Sequence, residues 1–212
     1  MIDRASTNGN IQLSLYIKPY TRHMILSDRD IRAAMKRGDI SIDPFVPSMM
    51  QPASVDLHLD KHFLIYDTNT NFVIDPKKPI APMMKEIEID NEKPFVLHPG
   101  EFALAMIYET TGVSEEYVGR LEGKSSIGRM GLLIHVTAGF LDPGNSLKLT
   151  LELCNVANMP MLLYYKMPIA QIAFEKISSP CEKPYSKERG SKYVGDVKPV
   201  ASQMWKNFVV SE

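Results

Sequence analysis

Cysteine is nearly absent from this chain. Only Cys154 and Cys181 occur in 212 residues, too few and too far apart to staple a small secreted fold. A secretory signal is lacking as well, since residues 1–23 carry Asp3, Arg4 and Lys18 and no adequate apolar stretch. These two absences lead us to expect a reduced, cytoplasmic protein. No apolar run approaches the ~20 residues that a membrane helix needs, and the longest, around Phe102 to Tyr108, is strand-sized. Charge of one sign is not in excess either: 24 basic residues face 25 acidic ones, for a formal net charge of −1. That balance removes the electrostatic grounds for nucleic acid or a membrane surface as a partner, so any anion site must be local. Repeats and low-complexity tracts are missing too.

Zinc-type hydrolytic chemistry also lacks its residues. Zinc-dependent nucleobase deaminases use H-x-E followed by P-C-x-x-C, whereas His98 is followed by Pro99-Gly100-Glu101 and the two cysteines stand far apart. His23, His58, His62, His98 and His135 form no H-E-x-x-H set. His58 and His62 are four apart, but their segment reads as strand, so they do not share a helix face. The pattern therefore speaks against zinc at a reacting centre. His135, inside an apolar stretch, reads as a hydrogen-bonded structural histidine.

The length suits one good-sized domain with a real core. Residues 1–23 are polar and aperiodic and end just before Met24, so they read as an N-terminal extension or expression scar. Ser27 then looks like a helix N-cap, with Asp30 three residues on and Ile31, Ala34 and Met35 on one face before Gly38. After this helix the chain turns β-like. Strands are expected over Ser54–Leu59, His62–Tyr66, Phe102–Tyr108, Tyr117–Leu121, Leu132–Val136, Leu147–Leu153, Met161–Tyr164 and Ile169–Phe174. Residues 67–94 mix Asn, Asp, Lys and Pro and read as a long exposed excursion. Many short strands with one early helix argue for a mostly β protein, an antiparallel barrel or sandwich. Past Pro180 the chain is rich in Lys, Ser, Pro and Gly and reads as a solvated tail unless a ligand or a neighbouring subunit orders it.

The stretch Gly119 to Asn155 holds the candidate chemistry. Gly123-Lys124-Ser125-Ser126, followed by Arg129, gathers small residues, hydroxyls and cations in one turn, as phosphate oxygens require. It is not a P-loop, in which Lys follows the second Gly and precedes Ser or Thr, and an ordinary polar turn is the plainer alternative. In the next strand the odd-numbered leucines, Leu147 to Leu153, point one way and Glu152 the other. Glu152 is an exposed strand position, or a general base if a loop or subunit covers that face. Asp142, in LDPG, is a turn former or a sugar-binding carboxylate.

Taken together, MILSDRDI at Met24, PASVDLHL at Pro52, LHPGEF at Leu97, GKSSIGRMGL at Gly123, HVTAGFLDPG at His135, LTLELCN at Leu149 and PYSKERGSKY at Pro184 resemble dCTP deaminases of the dUTPase-like family. The likeness runs from Met24 to about Phe208 in the same order. It implies a distorted antiparallel β-barrel of dUTPase-like type over residues 24–180, assembled as a homotrimer. The active sites would lie at subunit interfaces, with the tail, residues 181–212, closing over the nucleotide.

By the same resemblance, Glu152 activates water for attack on C4 of cytosine, and Ser125, Arg129 and the backbone carbonyl of Ala138 position the water and the carboxylate. Lys124, Ser125, Ser126, Tyr185 and Lys192 fall at the nucleotide's phosphates, Asp142 at the sugar 3'-hydroxyl and Gln171 near the base, and Arg129 is counted among the nucleotide-binding residues as well. Magnesium would come with the triphosphate, with no zinc, and dTTP is an expected feedback inhibitor. Asn145 and Leu147 stand where the family has an aromatic residue and a glycine. Asp196 replaces a phosphate-binding glutamine, with Lys198 nearby. Gly139-Phe140, GKSS and the SKY tail resemble enzymes that continue from dUTP to dUMP and pyrophosphate, whereas HVTA resembles those that stop at dUTP. The dUMP-forming reading is put first. Its alternatives are a deaminase that stops at dUTP, a dUTPase without deaminase activity, and a nucleotide-binding regulator.

Overall fold

The computed structural model describes residues 24–137 and 139–209. The N-terminal extension, Ala138 and the last three residues of the tail lie outside the described residues. Helix α1 spans Asp28–Arg37, with acids in its first turn, bases in its last, and Ile31 and Ala34 buried. It ends as the sequence predicts. Gly38, at φ 84°, lets its own N–H reach Met35 O at 3.1 Å and that of Asp39 reach Ala34 O at 3.0 Å, a Schellman closure that a Cβ would disfavour. The start differs. Ser27 Oγ donates to Asp30 Oδ2 at 3.2 Å instead of capping a backbone N–H.

Among the described residues fifteen strands follow. The first six are β1 (Ile40–Asp43), β2 (Met50–Gln51), β3 (Ser54–His58), β4 (His62–Tyr66), β5 (Met84–Glu88) and β6 (Phe95–Leu97). Next come β7 (Phe102–Met106), β8 (Thr110–Val113), β9 (Tyr117–Gly123), then helix α2 (Ser125–Gly128), β10 (Leu132–Leu133) and β11 (Phe140–Leu141). The last four are β12 (Ser146–Leu147), β13 (Thr150–Asn155), β14 (Met161–Leu163) and β15 (Pro168–Lys176). No helix among the described residues is long and apolar enough to cross a membrane.

Two five-stranded antiparallel sheets form the body, ordered β10-β13-β7-β4-β5 and β11-β9-β15-β3-β2, beside smaller sheets β1-β8-β12 and β14-β6. The ladders do not join into a closed ring, so the barrel expected from the resemblance is corrected to sheets packed around a shared core. Leu57, Leu121, Leu151, Leu153, Ile172 and Phe174 meet there, each 2% exposed or less. Burying side chains of this size contributes roughly 1.5–3 kcal/mol apiece.

Two expectations fail for physical reasons. Within the excursion 67–94, β5 pairs along the whole of β4, from His62↔Glu88 to Tyr66↔Met84. Its MKEIE sequence shows no clean alternation because it is an edge strand whose charges face water. The strand expected over Leu132–Val136 shortens to Leu132–Leu133, paired with Asn155 and Cys154. Beyond Ile134 the backbone bends out of the ladder and turns its N–H groups toward a side chain.

Candidate active site

That side chain is Glu152. Its place on β13 follows from alternation, with Leu151 and Leu153 buried on the core face and Glu152 half-buried on the other. Glu152 N–H still bonds Ile134 O at 2.9 Å. Two residues further, Val136 N–H donates to Glu152 Oε2 at 2.8 Å and Thr137 N–H approaches at 3.4 Å. Oε1 makes no hydrogen bond among the described residues. The carboxylate is thus fixed through Oε2, and an ionised carboxylate has further lone pairs to accept from a water molecule.

Asp142 sits at the corner of a turn. Asp142-Pro143-Gly144-Asn145 closes through Asn145 N–H to Asp142 O at 3.1 Å, and φ of 81° at Gly144 with Pro143 before it marks a type II turn. Gly144 and Asn145 also exchange backbone bonds with Val113, each at 3.1 Å, which tie the turn to β8. Gly144 has a second reason to lack a side chain, since a Cβ there would lie 2.5 Å from Cβ of Pro184 in the tail.

Asp142, Asn145 and Glu152 line one cavity of about 380 Å³ together with Phe102, Phe140 and Tyr185. Such a volume suits a small ligand. A second cavity of about 260 Å³, between Glu86, Glu88 and Lys198, shares no lining residue with it.

The tail also contributes. Tyr185 N–H bonds Pro143 O at 2.9 Å, and Lys148 N–H bonds Asp196 O at 2.9 Å. Tyr185 Oη accepts from Tyr193 N–H at 3.2 Å, and Tyr193 Oη from Gln203 N–H at 2.9 Å. Tyr185, Tyr193 and Ser202 thereby join the cavity wall. Composition alone gave a solvated tail. Backbone hydrogen bonds and two tyrosine hydroxyls hold it instead, with little apolar burial beyond Ala201. Lys148 is itself braced, with Nζ 2.6 Å from the buried Asp60 carboxylate and lying over the Tyr108 ring. The Asp196 carboxylate has no ion-pair partner among the described residues, and burial raises its pKa above the ordinary value. Burial likewise raises that of the Tyr66 hydroxyl in the cavity wall.

The remaining expected site residues lie elsewhere on the chain. Lys124 precedes α2, and its Nζ is 2.5 Å from Asp56 Oδ1, a charge contact outside hydrogen-bond geometry. Gln171, on β15, accepts from Ser54 Oγ at 3.0 Å and reaches Gly123 O at 3.5 Å. Ser125, Ser126 and Arg129 are exposed. Lys192 Nζ donates to Asn207 Oδ1 at 2.6 Å. None of these six lines the cavity, and no hydrogen bond among the described residues joins any of them to Glu152. Among the described residues, only Asp142, Glu152 and Tyr185 of the expected set line this cavity within one chain. His135 departs from expectation, because its Nδ1 is buried without a hydrogen-bond partner among the described residues. Phe102 and Tyr66 were missed as wall residues, and nothing in their strand sequences marks them.

A family model described as dCTP deaminase-like matches residues 25–177. A protein of Acidothermus cellulolyticus named dCTP deaminase, dUMP-forming, is 47% identical over 186 residues, covering 87% of this chain and 97% of that one. A protein of Corynebacterium efficiens with the same name is 48% identical over 186 residues, covering 87% and 96%. Among solved structures, the 2'-deoxycytidine 5'-triphosphate deaminase from Agrobacterium tumefaciens superposes with a TM-score of 0.57 at 21% identity, over 73% of this chain and 48% of that chain.

Proposed function

The chain belongs to the dCTP deaminase-like family, and from that premise we propose that it deaminates dCTP hydrolytically and carries the product on to dUMP, in the supply of precursors for thymidylate. The observation that carries the reading is Glu152, anchored through Oε2 by Val136 N–H at the wall of the cavity it shares with Asp142. In the first step Glu152 takes a proton from water as its oxygen adds to C4 of cytosine. The C4–N bond to the exocyclic amine then breaks, leaving dUTP and ammonia. In the second, water held near Asp142 attacks the α-phosphorus, and dUMP and pyrophosphate separate.

Ser125, Arg129 and the Ala138 carbonyl position the water and Glu152, and Arg129 offsets developing charge. Lys124, Ser125, Ser126, Tyr185 and Lys192 bind phosphates, Asp142 the 3'-hydroxyl, and Gln171 the base. In a single chain these groups occupy separate places, which supports a homotrimer whose sites are completed across subunit boundaries. Met130, Leu133 and Val136, around α2 and β10, are 45–55% exposed and offer an apolar face for that assembly. The tail, residues 181–212, closes the site, and the β-sheet body spans 24–180.

Among the described residues no cluster of three His, Cys, Asp or Glu could hold a metal ion, so the donor set offers no cage of its own. That fits magnesium carried on the triphosphate by phosphate oxygens. When bound, it neutralises phosphate charge. dTTP is the proposed feedback inhibitor, and the cytoplasm the proposed compartment. Incubation with dCTP and magnesium, followed by nucleotide chromatography and an ammonia assay, tests the reading. Ammonia with dUMP and pyrophosphate is expected; unaltered dCTP overturns it.

A further inference from the structure

Asn145 closes the Asp142 turn with its backbone, and its side chain is left over. The residue is 6% exposed and forms part of the cavity wall with Asp142 and Glu152. Its buried Oδ1 has no hydrogen-bond partner, and its Nδ2 makes no hydrogen bond among the described residues. An unpaired buried amide is costly, and a ligand that fills the cavity it lines can supply the missing partner.

The chemistry narrows that partner. Asp142, ionised, only accepts hydrogen bonds, whereas the Asn145 amide both donates and accepts. A hydroxyl matches both. Positions i and i+3 of a β-turn have Cα atoms under about 7 Å apart, and both residues line the same cavity, so one sugar ring can meet the two together. In a 5'-triphosphate, deoxyribose offers a single free hydroxyl, and ribose offers a vicinal pair.

Resting on the nucleotide reading of this cavity, with Asp142 on the 3'-hydroxyl, we propose that Asn145 binds a ribose 2'-hydroxyl and that the chain accepts CTP beside dCTP. The added reaction balances as the first does: water adds at C4, the C4–N bond breaks, and UTP and ammonia leave. Asn145 is then the residue that sets sugar selectivity, through a contact that dCTP cannot make.

The test measures ammonia release from dCTP and from CTP with the full chain and magnesium, for the wild type and Asn145→Leu, with calorimetric binding of both nucleotides alongside. The wild type is expected to use CTP within about a hundredfold of dCTP in kcat/KM. Asn145→Leu should lower the ratio of kcat/KM for CTP to that for dCTP about tenfold or more. Deamination of dCTP with CTP neither bound nor converted overturns the inference while leaving the nucleotide reading intact. Equal loss for both nucleotides overturns it too, since a residue that merely shapes the turn would not separate them. If dCTP binds without turnover, the CTP-to-dCTP affinity ratio of the two proteins decides by the same criterion. If Asn145→Leu fails to fold, as circular dichroism would show, the wild-type ratio decides. Binding of neither nucleotide overturns this inference and the underlying reading together.

Discussion

Val136 donates its backbone N–H to Glu152 at 2.8 Å, across the point where the chain leaves the β10–β13 ladder. A strand edge has thereby become a carboxylate holder. The leucines on either side keep Glu152 from turning inward, and Val136 keeps it from swinging out into water.

Glu152→Gln keeps the shape and the Val136 contact but removes the base. Ammonia release should fall by about 10²–10⁴-fold, while nucleotide affinity measured by calorimetry stays within a few-fold. Full turnover by the variant would remove Glu152 from the mechanism.

If Arg129 of one subunit completes the site around Glu152 of another, two inactive variants should complement. Glu152→Gln and Arg129→Ala proteins, mixed after partial unfolding and reassembled, should regain on the order of a quarter of the wild-type sites by random assortment. Absence of regained activity in a verified mixed assembly would place each site within one subunit.

Gly139 bears on the product. A Cβ there would stand 2.9 Å from the Leu121 carbonyl oxygen, and that backbone cannot yield, because Leu121 N–H bonds Gly139 O at 2.7 Å. Gly139→Ala should displace the loop that leads to Asp142. Ammonia release should continue while dUTP accumulates at the expense of dUMP, as chromatography of a time course would reveal.

Burial raises the Asp196 pKa above its ordinary 3.8 in the closed tail. The closed form therefore binds a proton more tightly than the open one, so closure strengthens as pH falls through the raised value and weakens above it. Limited proteolysis of the tail should slow on acidification toward that range. Asp196→Asn should flatten this dependence and protect the tail at neutral pH; an unchanged pH profile would assign the effect to another group.

Much of this protein follows from local pattern alone. The spacing of Ile31 and Ala34 before Gly38 made a helix, and the leucine alternation put Glu152 on the face away from the core, because side-chain direction in regular structure is fixed by period. Pro143-Gly144 dictated the turn that presents Asp142. The chain-long run of motifs gave the family.

Other features needed the folded chain. β5 acquires its place only by pairing with β4, since an edge strand's charges show no period. The tail is ordered by Tyr185 and Tyr193 hydroxyls that bond backbone eight and ten residues further along it, and by backbone bonds to Pro143 and Lys148, contacts that composition cannot encode. Tertiary structure alone separates Lys124 and Gln171 from the cavity of Glu152, because they belong to β9, β15 and the α2 turn of the other large sheet. The unpaired amide of Asn145 is of the same kind: the sequence supplies an asparagine after a Pro-Gly turn, but only packing decides that its amide is buried without a partner.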